Sequence, residues 1–122
     1  MKKESEAVIQ QEIWMDFNNA YPKLIIHSVP NGISFPLLPK EKARVLDALN
    51  KTGMTSGVAD LIIHGKNGKC IMVEVKNSTN DQDPKQIKIQ AKLEALGGIY
   101  LLVRSLQDFQ NQISKHIEWL TY

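Results

Sequence analysis

The stretch GVADLIIHGKNGKCIMVEVKN, residues 57–77, decides how the rest of the chain is read. Two apolar runs rich in β-branched residues flank the polar segment GKNGK, the pattern of a β-hairpin whose turn is centred near Asn67. Asp60 interrupts the first run, and Glu74 and Lys76 interrupt the second. Folding the strands about that centre sets Asp60 opposite Glu74, within one residue of register. Directly opposed side chains hold their Cβ atoms about 4.5–5.5 Å apart. Lys76 lies two residues beyond Glu74 and therefore points to the same face. Two carboxylates and one ammonium converge in one patch.

Like charges facing each other across a ladder destabilise it, so the pair calls for a compensating cation. Carboxylate oxygens are hard ligands that suit Mg²⁺, which keeps several waters and bridges to phosphates. The lysine is not a ligand. It would orient or deprotonate an attacking water, or stabilise charge on a pentacovalent phosphate. A solvated or salt-bridged sheet face is the ordinary reading of one acid in a strand, and E-x-K alone is common. The placement of both acids across a hairpin, inside otherwise apolar strands, outweighs that reading here.

Outward from the hairpin, the elements follow from periodicity and punctuation. From about Glu4 to Ala20, Ile9, Ile13, Phe17 and Ala20 recur at helical spacing. That helix ends before Tyr21-Pro22, because the residue preceding proline disfavours the α region. KLIIHSV reads as a short strand stopped by the turn signal PNG, and SFPLLP as extended. KEKARVLDALNKTG is a second helix with Gly53 as its C′ residue. After the hairpin, NSTNDQD is a polar loop. PKQIKIQAKLEALGG is a third helix, with Asp83 as N-cap and Pro84 in the first turn. IYLLV is a continuous apolar run, the signature of a strand covered on both faces. SLQDFQNQISKHIEWLTY closes the chain as a helix, capped by Ser105, with Ile113, Ile117 and Leu120 as its inner stripe. The order αβαββαβα describes an α/β domain with a mixed sheet of about four strands flanked by helices.

Bulk properties agree. The 122 residues suit one domain, residues 1–122, and 43% hydrophobic with 23% charged residues is ordinary globular composition. A net charge of +2 is only weak evidence for a nucleic-acid partner. One cysteine, Cys70, excludes an intrachain disulfide, favours a reducing cytoplasmic setting, and reads as a small buried hydrophobe. MKKESEAVIQQEIW has no apolar segment of signal-peptide type, and no run approaches the roughly 20 apolar residues that span a membrane.

Asp60 and the run Glu74-Val75-Lys76 resemble the D…(D/E)-x-K motif of the PD-(D/E)XK nuclease superfamily. The wider string is more specific. LNKTGMTSGVADLII, IMVEVKN and PKQIKIQAKLEALGGIYLLVRSLQDF are similar to the VRR-NUC family of virus-type replication and repair nucleases. That family shows a G-x-x-x-G-x-P-D segment, an E-x-K strand, a glutamine at the start of the next helix, and a closing strand. The resemblance runs from about Glu6 to Phe109, and its clear departure is Ala59, where the family usually has proline.

The resemblance implies a restriction-endonuclease-like core and a Mg²⁺ or Mn²⁺ cofactor. Asp60 and Glu74 would bind the metal, with the Val75 backbone carbonyl completing the shell. Lys76 would be the catalytic lysine, and Gln86 the helix glutamine that supports the site. Many such nucleases add a first-helix glutamate, direct or through water. Glu6 falls on the stripe of Ile9, Ile13 and Phe17, whereas Glu12 lies about 100° from its centre. A carboxylate on a core-facing stripe needs a partner, and the family's E-x-x-x-Q spacing matches Glu6 to Gln10, so Glu6 is the expected residue. Glu4 and Glu12 read as surface charges.

The implied activity is structure-specific DNA endonuclease cleavage of branched DNA or Holliday junctions, by a stand-alone, bacterial or phage-encoded domain acting as a homodimer in the cytoplasm. Alternatives are a restriction-type or RNA-processing nuclease, or a catalytically silent DNA-binding module on the same fold. Weaker candidates remain. Lys40, Lys42, Arg44 and Lys51 would line a phosphate-binding face of the second helix, or form a merely solvated one. Asn31-Gly32 reads as a plain turn. His27, His64 and His116 are dispersed, without metal-ligand spacing. Trp14 and Trp119 read as core or interface residues rather than base-stacking platforms.

Overall fold

A computed structural model describes residues 5–29, 38–53, 55, 57–77 and 81–121. The elements are α1 (Glu6–Ala20), β1 (Ile25–Ser28), α2 (Pro39–Lys51), β2 (Leu61–His64), β3 (Cys70–Val75), α3 (Pro84–Ala95), β4 (Ile99–Val103) and α4 (Leu106–Ile113). Short 3₁₀ turns cover Lys66–Gly68 and Ser114–Trp119. The sheet order is β1-β2-β3-β4, antiparallel at the first two pairings and parallel between β3 and β4. The expected αβαββαβα order and mixed four-stranded sheet are present. The PNG turn with Asn31-Gly32, the SFPLLP run and Glu4 lie outside the described residues, apart from Leu38, which precedes α2, and Pro39, its first residue.

Local signals set the ends. Ser5 Oγ accepts the Val8 N–H at 3.2 Å to cap α1, and Ser105 Oγ accepts the Asp108 N–H at 3.0 Å to cap α4. Gly53 follows α2 at φ +114°, the conformation a glycine adopts without penalty. The hairpin register runs from Leu61 opposite Val73 to His64 opposite Cys70. Asn67 at φ 57° and Gly68 at φ 74° turn the chain between them.

That register sorts side chains onto two faces. Leu61, Ile63, Ile71, Val73, Val75, Leu101 and Val103 join Ile9, Ile13 and Phe17 of α1 and Phe109 and Ile113 of α4 in the main core. Phe17 and Phe109 meet edge to face, ring centroids 6.2 Å apart. The opposite face carries a smaller cluster, Ala59, Leu93 and Tyr100, with half-buried Cys70, Met72 and Ile89 beneath α3. Cys70 is thus less buried than its apolar run suggests. No residue of α2 is buried.

The closing segment departs from expectation. α4 ends at Ile113, and the chain continues as a 3₁₀ turn broken at His116 (φ −123°, ψ 32°). The break shifts the helical phase, so Ile113 and Leu120 are buried while Ile117 is 45% exposed. Among the described residues, no helix is long and apolar enough to cross a membrane.

Candidate active site

The expected constellation assembles where β2 begins and β3 ends, beneath the N-terminus of α3. Continuing the register of Leu61 opposite Val73 by one residue brings Asp60 opposite Glu74, as the turn arithmetic requires. Asp60 is held by two hydrogen bonds. Its Oδ2 accepts the Val75 N–H at 2.8 Å, its carbonyl accepts the Val29 N–H at 2.9 Å, and Ala59 before it is fully buried. A small apolar alanine therefore serves where the resemblance would place proline. The N–H and C=O of one strand residue leave on the same side, so the Val75 carbonyl also leaves β3 towards Asp60.

Glu74 is 4% exposed, and its two oxygens have different surroundings. Oε1 accepts the Gln86 amide at 2.7 Å and lies 3.8 Å from the Lys76 ammonium. Oε2 is buried without a hydrogen-bond partner. Gln86 is locked from its other end as well: Asp83 caps α3, and the Asp83 N–H donates to Gln86 Oε1 at 3.0 Å in a capping box. That bond fixes which end of the amide faces Glu74, leaving its NH₂ to donate. The spacing D-x-x-Q at 83–86 is the sequence signal for this device, and it extends the reading of Asp83 as a bare cap.

The electrostatics reflect crowding of like charge. Burial, then the neighbouring Asp60 charge, push the Glu74 carboxyl up to about 7 against the pull of Lys76 and Gln86. Burial also raises Asp60, opposed by the Val75 N–H and by Lys76. Two carboxylates this close, one with a bare buried oxygen, can share a proton or a hard cation. The donor set of Asp60, Glu74 Oε2 and a backbone carbonyl suits Mg²⁺ or Mn²⁺ rather than a soft-ligand metal.

Glu6 stands apart from this group. It is the first residue of α1 and half-buried, and among the described residues no three His, Cys, Asp or Glu side chains gather as a metal site. Lys42, Arg44 and Lys51 are exposed on α2, with Lys51 paired to Asp47 at 3.0 Å.

Three features escaped the sequence reading. Tyr100, within a run read as uniformly apolar, has a buried hydroxyl without a well-formed hydrogen bond, and burial together with the nearby Glu74 charge raises its pKa. His27 and His64 are not dispersed: the β1–β2 register brings their Nε2 atoms within 3.0 Å, while His27 Nδ1 lies 3.1 Å from the Ser28 carbonyl. Trp119 packs on the main core as expected, with Lys69 5.1 Å above its ring, but Trp14 is 45% exposed.

No protein-family model matches the sequence, and no curated protein matches it. Solved structures do match. One titled "VRR_NUC domain protein" superposes at a TM-score of 0.70 with 18% identity, covering 98% of this chain and 93% of its own. A second, "VRR_NUC domain", gives 0.56 with 21% identity, covering 93% and 94%. The likeness is one of fold: nearly the whole chain adopts the architecture of VRR-NUC domains, the restriction-endonuclease-like arrangement the sequence resemblance implies.

Proposed function

We propose, taking that fold as the starting point, that this chain is a divalent-cation-dependent nuclease hydrolysing phosphodiester bonds in DNA, with branched DNA as its substrate. The observation that carries the reading is the division of Glu74. One oxygen is tied by Gln86 and Lys76, while the other is buried and unpartnered beside Asp60. A protein that gained nothing from a cation here would leave two carboxylates opposed in a dry site, an arrangement the fold must otherwise offset.

Asp60, Glu74 Oε2 and the Val75 carbonyl would hold the cation. When bound, Mg²⁺ or Mn²⁺ would supply charge to polarise a phosphate and to make water a better nucleophile. The rest belongs to the protein. Gln86, oriented by the Asp83 cap, holds Glu74 in one rotamer. Val75 N–H holds Asp60. Lys76, largely buried within reach of Glu74, sits where its ammonium would orient the attacking water and stabilise charge on the phosphate oxygens. A half-buried Glu6 would join through water rather than by direct contact. Two copies related by a two-fold axis would present two such sites, which suits paired cuts at a branch.

The test is cleavage of a four-way junction, a flap and a linear duplex of shared sequence, each with Mg²⁺, Mn²⁺ or EDTA. Wild type should cut only with metal and should prefer the branched substrates. Lys76→Ala should slow cleavage by about 10²–10⁴-fold while the fold is retained. Unchanged cleavage in that variant would show the site to be elsewhere, and equal cutting of duplex and junction would remove the branched-substrate claim.

A further inference from the structure

A groove of about 330 Å³ lies between α1 and the edge of the sheet, lined by Ala7, Gln10, Gln11, Trp14, Ser28 and Leu61. The four α1 residues fall at helical spacing and form one stripe, distinct from the buried stripe of Ile9, Ile13 and Phe17. Leu61 follows Asp60 directly, so the two Cα atoms lie about 3.8 Å apart. Ser28 precedes Val29, whose N–H is bound to the Asp60 carbonyl. The groove therefore opens at the same end of β2 that bears Asp60, on the α1 face of the sheet, while alternation along the strands sends the Asp60 and Glu74 side chains to the α3 face.

Its lining is selective in chemistry. None of the six residues is charged, so the groove offers a phosphate no countercharge. Gln10 and Gln11 carry amides that both donate and accept, and Ser28 a hydroxyl that does the same. Trp14 has its indole N–H donated to the Ile26 carbonyl at 3.3 Å, which pins the ring while leaving it half-exposed. A pinned aromatic ring with neutral two-way hydrogen-bonding groups around it is what a planar heterocycle seeks. The volume is at the lower end of ligand pockets, roughly 300–1,000 Å³, suited to one base rather than a pair.

We propose that this groove binds a single unpaired nucleobase of the strand being cut, stacked on Trp14; this rests on the nuclease reading above. A base within a duplex is stacked on both faces and paired on its Watson–Crick edge, and would have to leave the helix to stack on Trp14. At a branch or in a single strand that penalty is already removed. The groove thus makes unpaired nucleotides further along the cut strand, past the end of the sheet from the scissile phosphate, the substrate feature recognised, by stacking that tolerates any base.

The chain has two tryptophans, so Trp119→Phe leaves Trp14 as the lone tryptophan, and excitation at its red edge reads it apart from the tyrosines. In EDTA, a short single-stranded oligonucleotide should quench Trp14 emission, and a blunt duplex of the same sequence should not. Trp14→Ala should weaken single-strand binding about tenfold with duplex binding unchanged, and Trp14→Phe should recover most of the loss. An abasic nucleotide further along the cut strand should reproduce the Trp14→Ala defect. Gln11→Ala, an exposed change, should give a smaller loss in the same direction. Equal quenching by duplex and single strand, or single-strand binding indifferent to both Trp14→Ala and Gln11→Ala, would overturn the proposal. If Trp14→Ala fails to fold, the quenching comparison and Gln11→Ala decide it. Metal-dependent cleavage without quenching would sink the groove and leave the nuclease. Quenching without any cleavage would sink the nuclease reading and leave a base-binding groove.

Discussion

The two faces of the sheet solve opposite problems. The face under α1 and α4 is closed by aliphatic and aromatic side chains, among them Phe17, Ile13, Ile63, Val73 and Phe109, all essentially without solvent exposure. Among the described residues, the buried apolar cluster of the face under α3 is Ala59, Leu93 and Tyr100, and beside them lie a buried glutamate and a buried glutamine. Apolar burial contributes about 25 cal/mol per Å², so the first face supplies most of the driving force for folding. The second holds groups that oppose it. The carboxylate pair is tolerable because the other face supports the strands that carry it.

The widest separation should come from one substitution on each face. Phe109→Ala empties a fully buried site and should cost about 3–5 kcal/mol of stability, read by urea denaturation. Glu74→Gln is nearly isosteric and removes charge from a crowded dry site. Metal-free stability at pH 8 should stay level or rise, while divalent affinity and cleavage fall by about a hundredfold or more. If Glu74→Gln unfolds the protein as Phe109→Ala does, the division of labour between the faces is wrong.

A smaller effect should come from Gly57, where the backbone passes close against the start of α3. Its φ of +91° lies in the region that favours glycine, and a Cβ there would run into the Lys85 carbonyl at the start of α3. Gly57→Ala should therefore cost about 2 kcal/mol and push α3 away, lengthening the Gln86–Glu74 contact. Metal affinity should drop with stability. Gly53→Ala is the control: its φ is also positive, but no atom lies within 4 Å of the added methyl, so only the backbone strain applies and metal affinity should hold. Equal effects of the two on metal binding would mean that the Gly57 contact does not position the site.

How much of this was legible beforehand varied with the range of the interaction. The hairpin patch was legible because its register depends on one short turn and a period of two. Gln86 was legible by resemblance, but its orientation was not, because that depends on the cap and the glutamate acting together on one amide. Tyr100 was hidden because IYLLV has no polar alternation, and only the parallel pairing of Met72 with Tyr100 places it diagonally from Glu74. The His27–His64 pair was hidden because the β1–β2 register spans a long connection with no turn rule to fix it. Ile117 was misplaced because a helical stripe was extended through a break in the helix at His116. Trp14 shares α1 with the buried stripe but lies beside it, where periodicity alone does not distinguish a groove from a core.

The finest contrast between the faces is their response to pH. Among the described residues, none of the fully buried side chains of the apolar face titrates. On the other face, the Glu74 carboxyl is raised to about 7 from its ordinary value near 4.5, chiefly by burial and then by Asp60, which is itself raised. A carboxyl that binds its proton more tightly when folded stabilises the fold at low pH and loses that contribution as pH rises through its folded value. Metal-free protein should therefore weaken from about pH 5 to pH 8 in urea titrations. Cation binding needs the deprotonated pair, so added Mg²⁺ should compete with one proton, its affinity falling about tenfold per unit below pH 7. Mg²⁺ should then rescue stability more at pH 8 than at pH 6, and Glu74→Gln should flatten both slopes. Slopes that persist in Glu74→Gln would assign the titration to another group and leave the buried oxygen of Glu74 without the role given to it.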